Sequence, residues 1–172
     1  MKRLKKYKND DECVATAIES CGEAIEYANR RFCDIDAYVD KSLANEYSSS
    51  LSCACMSKYR DDYSKVKIAL AANGCNIEYA SARLRDDYEA AAFAIVNQKD
   101  FYPASTFCNL SERLQDNLDL ALLDIREGHA CVDQYSERLR DSDIIAKELI
   151  KTDNAWKLWS MSDRIRKKYD ND

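Results

Sequence analysis

Apolar positions recur along most of the chain at three- and four-residue intervals, the spacing of one face of an α-helix rather than of a strand. Val66, Ala69 and Leu70 form one such run, Ala91, Ala94 and Ile95 a second, and Leu118, Ala121, Leu122 and Ile125 a third. Each run begins a few residues after an aspartate: Asp61, Asp86 and Asp116. A carboxylate there can accept a hydrogen bond from a free first-turn N–H and suits the positive end of the helix dipole, so each Asp is expected to open an amphipathic helix. A break follows, marked by Gly22, Gly74 and Gly128. From it a second helix of about ten residues should run to a basic residue, whose charge favours the carboxyl end.

These runs belong to an internal repeat. The stretch from Asn73 to Asp86 echoes that from Cys21 to Asp34, 52 residues earlier, sharing Gly, Ile-Glu-Tyr-Ala and a basic-apolar-any-Asp ending. A shorter punctuation (apolar, any, any, basic, apolar, any, Asp) appears at Ala28/Arg31/Phe32/Asp34 and again at Cys55/Lys58/Tyr59/Asp61. It continues at Ala80/Arg83/Leu84/Asp86, Leu110/Arg113/Leu114/Asp116 and Tyr135/Arg138/Leu139/Asp141, and a sixth copy, Met161/Arg164/Ile165, lacks the Asp. From Phe32 to Ile165 the second apolar anchors are 27, 25, 30, 25 and 26 residues apart.

One helix pair of this size cannot bury its apolar face alone, so neighbouring units must stack into a continuous core. The expected fold is all-α, an α-solenoid of about six two-helix repeats, with about twelve helices and no sheet. Its units would be 9–33, 34–60, 61–85, 86–115, 116–140 and 141–168, between a basic leader, 1–8, and a tail, 169–172. Ile25, Val39, Val66, Leu70, Leu84, Ile95, Leu114, Leu122, Ile125, Leu139 and Ile150 occupy repeated apolar positions and are expected to be buried. Repeat two departs most from the pattern, with Ser48-Ser49-Ser50 and Cys53-Ala54-Cys55, so its second helix should be irregular.

The punctuation Ala-Ser-x-Arg-Leu-Arg-Asp-Asp and the helix after it, Ala80 to Ile95, resemble the repeats of the bacterial domain-of-unknown-function family numbered 4116. The resemblance spans residues 9–168 and is clearest in repeats three to five. It implies tandem helical units and brings no activity or catalytic residues.

Composition narrows the functional classes. Three glycines and one proline among 172 residues leave little material for the turns of an all-β or Rossmann-like fold. The net charge is −5, which argues against a general nucleic-acid binder. Residues 1–8 carry five positive charges and no negative one, leaving −10 on the remaining 164. That leader lacks the apolar run of a secretory signal, and no stretch is apolar for long enough to span a bilayer, so a cytoplasmic protein without a membrane role is expected.

Candidate chemistry is sparse. The eight cysteines (13, 21, 33, 53, 55, 75, 108 and 131) read as reduced thiols packed as small hydrophobes, and Cys53-x-Cys55 has no second pair or histidine at metal-ligand spacing. The doubled acids Asp10-Asp11, Asp61-Asp62 and Asp86-Asp87 recur at helix starts and read as one cap and one carboxylate that suits the helix dipole, not as metal or acid–base sites. Arg31, Lys58, Arg83, Arg113, Arg138 and Arg164 share one repeat position close to an Asp, which predicts local charge pairing. His129, the single histidine, has no nucleophile at a readable spacing. The expectation is a non-enzymatic module with no cofactor and no metal, binding another protein. The alternative is an acidic inhibitor or decoy in a basic groove of a nucleic-acid-handling complex.

Two places break the repeat. The insertion Lys99–Phe107 of unit four holds the only proline and three aromatics, and Trp156 and Trp159, both tryptophans of the chain, fall in the last unit. Phe101, Tyr102, Phe107, Trp156 and Trp159 are therefore the candidate partner-binding residues. The competing structural roles are a plug between units for the first three and a terminal cap for the tryptophans.

Overall fold

A computed structural model of the chain describes residues 7–47, 49–99 and 106–169. Every regular element among the described residues is helical, with no strand. The longer α-helices are α1 (Asp11–Ser20), α2 (Asp36–Leu43), α3 (Tyr63–Ala72), α4 (Tyr88–Val96), α5 (Leu118–Arg126), α6 (Asp143–Lys151) and α7 (Asp163–Tyr169). Each packs on the next along the chain. None of the helices is long and apolar enough to cross a membrane.

The second helix expected in each unit is replaced by something shorter. After α3 the chain passes through extended Asn73 into a 3-10 turn, Gly74–Tyr79, then extended Ala80 and Ser81, then a single α-turn, Ala82–Arg85. Units four and five end in the same way, at Glu112–Gln115 and Glu137–Arg140. The extended pair explains the difference: the Ser81 hydroxyl accepts the Leu84 N–H (3.2 Å), so a fresh N-cap starts where a continuous helix was expected. Repeat two is irregular as expected, with 3-10 turns at Ser50–Ser52 and Ala54–Tyr59.

Each doubled acid supplies one helix cap, as expected, but at Asp61-Asp62 and Asp86-Asp87 the second residue caps and the first has another task. The helix cap is the residue after the punctuating Asp: Asp62 accepts from Ser64 N (2.9 Å), Asp87 from Ala90 N (2.8 Å), Asn117 from Leu120 N (3.1 Å) and Ser142 from Ile144 N (3.3 Å). The first Asp instead holds the following unit. Asp86 accepts the Ser111 hydroxyl and Arg113 Nε (3.0 Å), while its carbonyl accepts Arg113 Nη2 (2.5 Å) and Arg85 O accepts Ser111 N (3.0 Å). The same set joins Asp61 to Ser81 and Arg83, Asp116 to Ser136 and Arg138, and Asp141 to Ser162 and Arg164. Charge pairing is thus present, but each arginine reaches back about one repeat rather than to the Asp beside it.

At the first junction Asn9 replaces the Asp, accepting from Asn29 Nδ2 (2.8 Å) and Arg31 Nη2 (3.0 Å). At the irregular second one Lys58 pairs with Asp34, and Met56, buried, stands where the other units have Ser or Asn. The serine hydroxyl first, and the guanidinium with it, hold the Asp61, Asp86, Asp116 and Asp141 carboxyls below their usual range. All four pairs are exposed, so each ion pair contributes little by itself; the geometry fixes register more than it adds stability.

The core forms one cluster running from Val14 to Ile165. Nine of the eleven positions expected to be buried are so; Leu122 is half-buried and Ile150 is 45% exposed. On α6 the buried stripe is Ile145, Ala146 and Leu149, and Ile150 lies about 40° past its border at Ala146. Leu122 sits the same way beside Ala121 on α5.

Candidate functional site

The features that break the repeat converge beyond α5. Eight residues after the punctuating Asp, α3 and α4 bury Ala69 and Ala94, and α6 buries Leu149; α5 buries Asp124. Its Oδ2 accepts Cys131 N (2.8 Å) and the Tyr135 hydroxyl (2.8 Å), and its carbonyl accepts His129 N (3.0 Å) and Ala130 N (3.1 Å). The loop so gathered is bent through two left-handed residues, Gly128 (φ 88°) and Ala130 (φ 44°), the second carrying a side chain that this region disfavours. Asp124 Oδ1 is buried without a hydrogen-bond partner.

Burial therefore pushes the Asp124 carboxyl above its ordinary range, against the hydrogen bonds from Cys131 and Tyr135 that favour the anion. A raised carboxyl binds its proton more tightly in the folded than in the unfolded chain, so it lowers stability as pH rises through the interval between the two values. Asp124→Asn keeps an acceptor and removes the charge. It is expected to match the parent near pH 4 and to become the more stable form towards neutrality, measured by urea melts across pH. A constant difference at every pH would show that the carboxyl is not raised.

The loop carries the next element. Lys157 Nζ donates to His129 O (2.6 Å) and Ala130 O (2.9 Å), fixing the 3-10 turn Ala155–Ser160 against it, and Ser160 donates to Asp133 Oδ1 (2.6 Å). That turn bears both tryptophans. In a 3-10 helix residues i and i+3 eclipse, so Trp156 and Trp159 share one edge. They are 66% and 63% exposed. An open groove of about 360 Å³ lies beside them, lined also by Cys131, Asp133 and Gln134.

No protein-family model, curated protein or solved structure matches the chain. The site is accordingly judged on its residues.

The structure separates the five candidate residues. Phe101 and Tyr102 lie outside the described residues. Phe107 is fully buried, its ring edge-on to Tyr135 with centroids 4.8 Å apart, so it is not an exposed anchor. The signal that marks it as core was present in the repeat: it stands three residues before the anchor Leu110, as the buried Ile25, Ile77 and Val132 stand before Ala28, Ala80 and Tyr135. Trp156 and Trp159 are the exposed pair, and at that exposure they do not close the core as a cap. Asp124, Asp133 and Lys157 escaped the sequence reading, although Asp124 interrupts an apolar register.

The cysteines divide by environment. Cys33, Cys53 and Cys75 are buried, Cys55, Cys108 and Cys131 partly so, and Cys13 and Cys21 are exposed, so the last two depart from the expected packing role. Burial pushes the Cys53 and Cys55 thiols up to about 12, which keeps both protonated at neutral pH and poor as nucleophiles. A larger groove of about 700 Å³ at the ends of α1–α3 is spanned by side chains already engaged with one another: Lys41 with Glu19, and Asn45 Nδ2 with Glu19 O (3.1 Å).

Proposed function

We propose that this chain is a cytoplasmic, non-enzymatic protein-interaction module, an α-solenoid of about six short helical units whose last units bind another protein through Trp156 and Trp159. The recurring Asp–Ser–Arg junctions support the repeat reading, because the same hydrogen bonds recur where a tandem array would need identical joints. This is also what the resemblance to family 4116 implies.

The observation that carries the binding role is the exposure of both tryptophans on one edge. An indole left in water forgoes about as much burial energy as any side chain can gain, and tryptophan is enriched among interface hot spots. Replacing both by alanine should leave the thermal midpoint within about 2 °C, since little packing is lost. Capture of the partner from a lysate of the native host, compared between parent and double variant by mass spectrometry, should fall about 30-fold or more. Unchanged capture with an unchanged midpoint overturns the assignment to this edge.

A further inference from the structure

We infer that the groove beside Trp159 receives a cationic side chain, an arginine or lysine on the partner protein, held between the indole and the Asp133 carboxylate; the inference rests on the interaction reading above and specifies its chemistry. The protein's own aromatics supply the first argument. Arg31 lies over Phe32 (4.5 Å to the centroid), Lys58 over Tyr59 (4.8 Å), Lys67 over Phe93 (5.3 Å), Lys157 over Trp156 (5.1 Å) and Lys168 over Tyr169 (5.4 Å). Among the described residues no cation lies over Trp159, although indole is the strongest of the aromatic rings for this contact and this one is 63% exposed.

The second argument is charge. Asp133 and Trp159 line the same groove. Asp133 Oδ1 accepts the hydroxyl of Ser160 (2.6 Å), the residue next to Trp159, and no lysine or arginine of the described residues pairs with it. The groove's own cation, Lys157, is committed to two main-chain carbonyls and to the face of Trp156, so it does not reach across to Asp133. An exposed indole and an uncompensated carboxylate lining one groove are a pair that a guanidinium or ammonium can satisfy twice, by cation–π attraction and by a charge-assisted hydrogen bond.

The two tryptophans are the only ones in the chain, so tryptophan emission, excited selectively over its eleven tyrosines, reports on this edge alone. The probe is an end-capped hexa-arginine peptide, with hexa-glutamine as the neutral control. Saturable quenching or shift of emission is expected with arginine and none with glutamine. Asp133→Asn, which keeps the acceptor for Ser160, and Trp159→Ala, which leaves Trp156 as reporter, should each weaken binding about tenfold. Glu78→Gln, at an exposed carboxylate that does not line the groove, should not.

Equal binding of the glutamine peptide, or equal weakening by Glu78→Gln and Asp133→Asn, reveals non-specific contact and overturns the inference. Should the arginine peptide fail to bind while the double tryptophan variant loses its captured partner, the interaction reading stands and the cationic assignment falls. Should the peptide bind as expected while the double variant keeps every captured protein, the groove stands and the broader reading falls.

Discussion

Gly74→Ala is expected to be among the most damaging single substitutions in this protein, costing about 3 kcal/mol or more and lowering the thermal midpoint by roughly 6–12 °C. The added methyl group would sit 1.8 Å from the Ala94 carbonyl oxygen, 2.8 Å from its carbon and 2.9 Å from Gln98 N. These are backbone atoms at the end of α4, and no rotamer change can move them aside. Gly74 N also donates to Asn97 O (2.8 Å), so the turn after α3 is seated directly on the end of the next long helix. Gly74 does not need a left-handed backbone; its requirement is room.

Gly128 is the contrasting case, with φ 88° and open space around its missing side chain. Gly128→Ala should cost only about 1–2 kcal/mol, through backbone strain alone. Calorimetry or denaturant melts of the two variants would separate the effects. A Gly74→Ala protein melting within about 2 °C of the parent would show that α4 does not sit on this turn.

Phe107→Ala is expected to cost about 3–5 kcal/mol, the range for removing a fully buried aromatic side chain. The loss extends beyond the ring itself. Tyr135, packed edge-on against Phe107, is also the residue whose hydroxyl holds Asp124, with a further contact to Ala121 O at 3.3 Å. A cavity at Phe107 would free Tyr135 and loosen the loop on which the tryptophan-bearing turn rests. Stability to urea should fall sharply, and the emission of Trp156 and Trp159 should change in the folded state. A loss below about 1 kcal/mol would show that Phe107 is not part of the core.

The repeat punctuation was legible as a motif, yet its meaning was not. In Arg83-Leu84-Arg85-Asp86 the nearest carboxylate to Arg83 in sequence is Asp86, three residues on, and local pairing is the natural inference. The pairing instead connects Arg83 to Asp61 (2.9 Å), because Ser81 N donates to Arg60 O (2.7 Å) and the Ser81 hydroxyl to Asp61, which brings that carboxylate alongside the α-turn Ala82–Arg85. Short-range spacing cannot distinguish these partners. The distance between them is set by how one unit stacks on the next.

The same division runs through the whole protein. By itself the sequence determined the helical class, the positions of the breaks, the repeat spacing and nine of the eleven core positions expected from it, since these follow from side-chain periodicity and from the scarcity of turn-forming residues, both local properties. The tertiary structure decided which Asp serves as a cap and which as a joint. It also placed Phe107 inside and Trp156 and Trp159 outside, and left Ile150 at the border of its stripe. Each of these outcomes depends on whether another unit covers a given face. Burial is a relation between elements distant in the chain, and an aromatic side chain carries the same hydrophobic signal in sequence whether its neighbour is a packed ring or water.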